Sequence, residues 1–505
     1  MGYLLGVDVG SSSTKVGLID LDGHAVAVSS RSYPTEQPKP GFKEQNPELW
    51  WEAVVSAIRE ATKDADTRRL LAIGSTGHIC SHTFVDAAGK VIRPALGFQD
   101  QRAVTEVEEL LSKTTREELA VELGVDLPPA AIWPLPRLLW FRKMEPATLE
   151  RARYLIQAKD FINFRLTGEF ASDFSTNRGL VNLSNGLPAK KVLKKLGLRE
   201  DLLPHLYGPE QVMGRVSAQA AVETGLPQGL PVVTGWNDLN ASVLGSGAVN
   251  VGDAFDITGT SEHVGVVTST KHAVLGLICA PFLPGKYLFY GVTSNGGGAL
   301  SWYQRGFGLQ FEELLRLAEK TAMGCDNLLF LPYLDGERSP IWDPRACGAF
   351  VGIRNHHQQG HFVRAILEGV AFGLLQILDL IEDEIGAITS PIIVSGGAAR
   401  LRLWNQIKTD IWGRRTTVPE YVHAAVVGAA MLATVGTGNY ATCEAAAGAM
   451  FRMKEEFSVA TDHHDSYQRL NAQFRKIYPA LRQIFTELYE EHCQEEETTC
   501  PQKPL

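Results

Sequence analysis

The chain has 505 residues, 45% of them hydrophobic, with a formal net charge of −9 and a pI near 5.9. At about 100–200 residues per domain that is enough for two or more buried cores, and without a basic excess or stripe it does not read as a nucleic-acid binder. The 7 cysteines are scattered with no CxxC pair, and no basic leader or ~20-residue apolar run is present, so a thiol-reduced, cytoplasmic protein with no membrane partner is expected.

The first stretch, LLGVDVGSSSTKVGLIDLDG, reads as strand, tight turn, strand, with Asp22-Gly23 marking the next turn. HAVAVSSRSYP continues as a third strand. Asn46-Pro47-Glu48 then opens a helix, with Asn as N-cap, Pro at the first helical position and an acid in the first turn. Trp50, Val54, Ala57, Ile58 and Ala61 share one face of it. LLAIGSTG follows as a buried strand ending in a glycine loop. This alternation predicts an α/β domain.

The pattern restarts near residue 250. LPVVTGWNDLNASVLGSGAV reads as a strand, a loop carrying Asp238 and a small-residue helix. VGDAFDITGTSEHVGVV is again strand, Gly-Thr-Ser turn, strand. HFVRAILEGVAFGLLQILDLIED is a nearly all-apolar helix, and PIIVSGGAARLRLWNQIKTDIWG runs from a strand through a glycine turn into an amphipathic helix. A last helix carries Tyr467, Leu470, Phe474, Ile477, Leu481, Phe485 and Leu488 at helical spacing. The expected organisation is two α/β domains, 1–248 and 249–490, followed by a polar tail, 491–505.

Four constellations carry chemistry. In GVDVGSSSTK, Gly10 permits a tight turn whose N–H groups converge on an anion; Ser11, Ser12, Ser13 and Thr14 add donors and Lys15 a charge. Asp8, on the strand before, is placed to hold Mg²⁺, which prefers oxygen ligands and keeps much of its hydration. The spacing is not that of a P-loop, and read alone the stretch is equally a polar hairpin with a capping acid. Asp256-Ile257-Thr258-Gly259-Thr260-Ser261 repeats the logic in the second half, so two hairpins could grip one polyphosphate. Ser395-Gly396-Gly397 closes a strand and lets a flat ligand approach, with Asn405 a turn or two further on. Asp238 is a lone acid among small and uncharged residues, either a helix cap or a base facing a cleft.

Together these residues resemble the FGGY carbohydrate kinases, a branch of the sugar kinase, actin and heat-shock chaperone superfamily. The resemblance runs to about residue 485 and rests on GVDVGSSSTK, GFQDQR, PLPRLLWFR, LTGEFASDFS, TGWND, DITGTSE, LPYLDGERSPIWDPRACGAFVGI, FVRAILEGVAFGL and SGGAARLRLWNQIKTDIWG. It implies two actin-like (ribonuclease H-like) α/β domains with a catalytic cleft between them, sugar-binding first and ATP-binding second. It implies ATP and Mg²⁺, a sugar or polyol acceptor, and an assembly that is commonly a homodimer. Asp238 would be the general base and Asp8 the magnesium ligand. Ser11, Ser12, Ser13 and Lys15 would meet the phosphates, with Gly259 and Thr260 across the cleft, and Gly297, Ser301, Gly396, Gly397 and Asn405 would surround the nucleotide.

Within the family the chain looks most like xylulokinases, with gluconate kinases close, which makes D-xylulose to D-xylulose 5-phosphate the expected reaction. The family's sugar-contact pair, however, aligns with Ile79-Cys80, neither a strong partner for a polyol. The residue after the base is Leu239 where Asn or Gln is usual. His78, Phe98, Gln99, Asp100, Arg102, Trp133, Trp236 and Asn237 remain to hold a sugar, and a poor or non-standard xylulokinase is expected; the aromatics are equally core residues. Gluconate, ribulose or a tetritol are alternative acceptors, and a non-catalytic nucleotide-switched binding protein is the alternative of another class. His78, Cys80 and His82 would suit alternate positions of a strand, but a zinc site wants three or four ligands and no second pair is near.

Overall fold

The structure is a computed structural model that describes residues 2–308 and 310–499, with side chains as far as 491. Two seven-stranded mixed sheets form the two halves. In the first, the strands Tyr3–Val9, Ser13–Asp20 and Ala25–Ser32 form an antiparallel meander, and Leu70–Gly77 lies parallel to Tyr3–Val9 on its other side. In the second, Ala254–Thr258, Glu262–Thr268 and Tyr287–Thr293 form the meander, and Ile392–Gly396 is the parallel neighbour. The two halves thus repeat one pairing scheme. The two glycine turns, and the two chain crossings that leave the parallel strands, occupy equivalent ends of it.

The helix that begins after Asn46 does so as expected: the Asn46 side chain accepts from Glu48 N at 3.1 Å and Pro47 follows. Its Trp50 is wholly buried, which is worth about 1.5–3 kcal/mol for a large apolar side chain. Trp50 also points its one polar atom toward the site, since Nε1 donates to Gln45 Oε1 at 3.0 Å. The apolar helix Gln359–Ile385 packs on the second sheet, and the final helix Thr461–Thr499 packs outside it, against that helix and the helix Arg402–Trp412. That last helix runs past residue 490, and 500–505 of the expected tail lie outside the described residues. No helix among the described residues is long and apolar enough to cross a membrane.

The helix Ala424–Gly436 has no polar face and is buried for most of its length. It follows all but the last strand of the second sheet in sequence but packs on Tyr3–Val9 and Leu70–Gly77 of the first, and on the helix Asp238–Gly245. The approach is close enough that a Cβ at Gly74 would strike the Ala429 carbonyl. This contact sets how the two sheets face each other across the cleft.

Candidate active site

The first glycine turn is held from beneath. Gly10 N donates to Ser13 O at 3.0 Å, and Tyr33 OH bonds Gly10 O. Gln45, steadied by Trp50, donates Nε2 to Ser11 O at 2.6 Å. With the backbone so fixed, Gly10, Ser11, Ser12 and Ser13 line a cavity of about 290 Å³ between the two halves. Asp8 and Lys15 face each other across the strand pair, with Nζ 4.0 Å from Oδ2, and both line the same cavity. Burial raises the Asp8 carboxyl above its ordinary range, and the Lys15 ammonium opposes the shift.

The second turn is built alike but charged differently. Gly259 N donates to Ser261 O at 2.9 Å, and Gly259, Thr260 and Ser261 line the cavity. The residue two before the glycine is now Ile257, and its cross-strand partner is His263; both line the cavity. Asp256 and Glu262, one position off in the alternation, turn to the opposite face. There Lys408 Nζ lies 2.6 Å from Asp256 Oδ2 and 3.0 Å from Thr258 Oγ1, and also pairs with Glu262.

The residues expected around the nucleotide flank the outer side of this turn and do not line the cavity. Gly297 N donates to Gly259 O at 2.9 Å, and Gly296 N and Gly298 N to Thr260 O at 2.8 and 3.0 Å, which pins the start of the helix Gly297–Phe307 to the turn. Ser301 Oγ bonds back to Gly297 O at 3.2 Å. Gly396 stands opposite Thr258 with φ +96°, a backbone that favours glycine, and a Cβ there would strike the Thr258 carbonyl. Gly397 has open space where a Cβ would be. Asn405 is buried and donates Nδ2 to Ala399 O at 2.7 Å, so it braces the turn that follows Gly397.

Asp238 is the first residue of its helix and faces the cavity. Asn237 caps that helix, accepting from Asn240 N at 2.9 Å, and donates Nδ2 to Ser175 Oγ at 2.9 Å. Asp238 Oδ1 accepts from Leu239 N at 2.8 Å. Its carboxyl is pushed up to about 7 by burial and by the charge of Asp8, against the Leu239 N–H and Arg178. Burial first, and the charge of Asp8 second, therefore poise this carboxyl near neutrality.

At the other end lie His78, Ile79, Cys80, Phe98, Ile132, Trp133, Leu239 and Trp342. His78 Nδ1 donates to Val9 O at 2.8 Å, and burial takes the imidazole down to about 4. It is neutral, and its buried Nε2 has no protein partner, which leaves an acceptor for a hydroxyl at the cavity wall. Cys80 has φ +62°, and its carbonyl accepts from Arg137 Nη1 at 2.6 Å. Burial pushes its thiol up to about 11. The left-handed residue breaks the strand-like alternation on which a His78–Cys80–His82 metal site would depend.

Three expected sugar contacts, Asp100, Arg102 and Trp236, do not line the cavity. Asp100 is fully buried and committed: Oδ2 accepts from Lys43 N at 2.7 Å, and both oxygens bind Arg102 at 2.8 Å. Arg102 also reaches Glu44 at 2.6 Å, so this pair is an internal brace away from the cavity. Trp236 is buried and stacks on Phe282, with ring centroids 5.3 Å apart. In their place the cavity holds Arg178, His263, Tyr290 and Arg338, which sequence reasoning left out. Arg338 sits within the quoted GERSP run, and Arg178 lies three residues past the end of the quoted LTGEFASDFS.

The chain matches the FGGY family of carbohydrate kinases, N-terminal domain, over residues 3–245 and the C-terminal domain of the same family over 255–437. It is 28% identical to the xylulose kinase of Bacillus subtilis (strain 168) over 97% of this chain and 99% of that one. It is 27% identical to the gluconokinase of the same organism over 96% and 97%. The crystal structure of the ligand-bound xylulose kinase from Lactobacillus acidophilus superposes with a TM-score of 0.87 at 25% identity, over 97% of this chain and 100% of that one.

Proposed function

Because the chain belongs to the FGGY family of carbohydrate kinases, we propose that this ATP-dependent sugar kinase uses Asp238 as the base that activates an acceptor hydroxyl lying between Asp238 and Trp133. The observation that carries this reading is the Asp238 carboxylate, at a helix start in the cavity and poised near pH 7 between two glycine turns. The acceptor oxygen attacks the γ-phosphorus. An O–P bond forms as the bond to the β,γ-bridging oxygen breaks, the hydroxyl proton passes to Asp238, and ADP leaves. Phosphoryl transfer asks mostly for positioning and charge neutralisation. Ser11, Ser12, Ser13 and Lys15 supply these on one side, and the Gly259–Thr260 turn supplies them on the other.

The Asp8 carboxylate beside serine hydroxyls is an all-oxygen donor set with room for water, which fits Mg²⁺. When bound, the ion would neutralise phosphate charge. Asp8 would hold it.

D-xylulose, with D-xylulose 5-phosphate as product, is the reference acceptor, supported by the likeness to xylulose kinases, and gluconate stands beside it because the likeness to gluconokinases is nearly as great. Ile79, Cys80 and Leu239 at the acceptor end favour neither as a strongly hydrogen-bonded polyol, so D-xylulose is expected to be a poor substrate. The test is ADP release with ketopentoses, polyols and sugar acids, with Asp238→Asn as the control. The variant should lose ~10²–10⁴-fold in kcat, the usual contribution of a general base. Full turnover by Asp238→Asn would overturn the mechanism.

A further inference from the structure

Among the described residues, three of the four buried arginines are each held by several bonds, although Arg102 Nη1 has no partner; the fourth, Arg178, is not. Arg102 is held by Asp100 and Glu44. Arg137 gives its protons to the carbonyls of Cys80, Gly97, Asp100 and Ala131 and lies 3.1 Å from His82 Nδ1. Arg364 binds Glu368 at 2.9 Å and the Thr321 carbonyl at 2.8 Å. Arg178 is only 6% exposed, yet it makes one bond, Nη1 to Tyr290 OH at 2.7 Å, and its buried Nε has no partner. Half-buried Arg338 gives Nη2 to Thr293 O at 2.7 Å. Among the described residues, no carboxylate forms an ion pair with either guanidinium, and both line the cavity. Asp238 and Glu337 act on these charges through space, but a desolvated guanidinium with an unpartnered N–H beside a cavity is unfavourable, and an anion entering from outside the chain would relieve it.

The two are tethered to one strand, Tyr287–Thr293, and their charges act on the acceptor end. Both help to lower His263, which burial and these charges bring down to about 3, and both oppose the upward shift of Cys80. The Lys15–Asp8 pair lies at the serine turn instead, where hydroxyls and an ammonium are already present for phosphate. Arg178 is also held ready. Asp173 Oδ1 accepts from Ser175 N at 2.9 Å, Ser175 Oγ at 2.6 Å and Thr176 N at 3.0 Å, while Asn177 Nδ2 reaches Ser172 Oγ at 2.8 Å. Ser175 in turn bonds Asn237, so the loop that presents Arg178 is joined to the cap of the helix that presents Asp238.

We infer that Arg178, with Arg338, binds a carboxylate on the acceptor, so that the substrate is an open-chain sugar acid whose far hydroxyl reaches Asp238. This rests on the kinase reading above and narrows its acceptor. The neutral Nε2 of His78 would accept from one of the acid's hydroxyls, and Trp133 and Trp342 offer faces to its C–H groups.

The experiment compares matched acceptors at fixed ATP: aldonates of four to six carbons (D-gluconate and D-xylonate among them), their alditols, D-xylulose and D-ribose 5-phosphate. The best aldonate should exceed its alditol by about 10²-fold in kcat/KM, the size expected of a charge-assisted bidentate contact. In Arg178→Gln that preference should collapse toward unity, mainly through KM. Arg178→Lys, which keeps the charge but loses the fork, should fall between, and thermal melts confirm that both variants fold. Calorimetry with the aldonates alone gives a readout that needs no turnover. Preference for a neutral acceptor or for the sugar phosphate, an Arg178→Gln defect equal for acid and alditol, or no aldonate binding overturns the inference while leaving the kinase reading intact. Aldonate binding with no ADP release from any acceptor would overturn the kinase reading and keep the site.

Discussion

The two glycine turns share a pairing scheme and a position at the cleft, yet they carry their charge on opposite faces. In the first, Asp8 and Lys15 point into the cavity. In the second, the same places hold Ile257 and His263, and the acids Asp256 and Glu262 are buried behind the turn around Lys408. One hairpin keeps its charge for a ligand; the other spends its charge on holding the turn. The same backbone can therefore be duplicated without duplicating the chemistry, because a single-residue offset in a strand moves a carboxylate from the cavity wall to the core behind it.

This contrast can be broken by experiment. The largest effect is expected at Lys408→Met, which strands two buried carboxylates and should cost about 3–5 kcal/mol of stability by denaturant unfolding. Lys15→Met should leave the unfolding midpoint close to that of the parent, and an equal loss would refute the division of labour. Next, Asp8→Asn should lower kcat by ~10²–10³-fold, the scale of removing one preorganised electrostatic contact, while Ile257→Val should cost less than about fivefold. Equal losses would mean that both hairpins act chemically. A tenfold fall in kcat/KM per pH unit is expected below pH 7, where Asp238 gains its proton. His78 and His263, held down to about 4 and about 3, should add no limb between pH 5 and 8. A limb displaced by Asp8→Asn toward lower pH would show that the first hairpin sets the base.

The smallest effect is on stability. The folded-state pKa of Asp238 is raised, so the folded chain binds the proton more tightly than the unfolded one. That contribution is full below the ordinary carboxylate range and is lost as pH rises through about 7. Asp238→Asn should therefore raise Tm by ~1–3 °C at pH 8 and by less at pH 5. A larger gain at pH 5 would contradict the shift.

Local order was legible where a few neighbouring residues decide it. The two hairpins, the Asn46 cap, the strand Leu70–Gly77 and the helix that starts at Asp238 all follow from turn residues and alternation. Asp100 and Arg102 were not legible as an internal brace, because Glu44 and Lys43, which help to satisfy them, lie more than fifty residues away in the chain. Arg178 was missed for a similar reason: what marks it is the lack of a counter-ion, and a sequence does not show which carboxylates come near. The different facing of Asp8 and Asp256 could have been found by counting in twos from each glycine.

The helix Ala424–Gly436 has a consequence for the order in which the molecule can be assembled. It covers strands that leave the ribosome first, yet it is itself made only after most of the second sheet. Until then the nascent first half keeps a bare apolar face, one of the conditions under which large chains misassemble. A fragment ending at residue 248 should be expressed insoluble, and the same fragment should be recovered in solution when 249–505 is supplied alongside it.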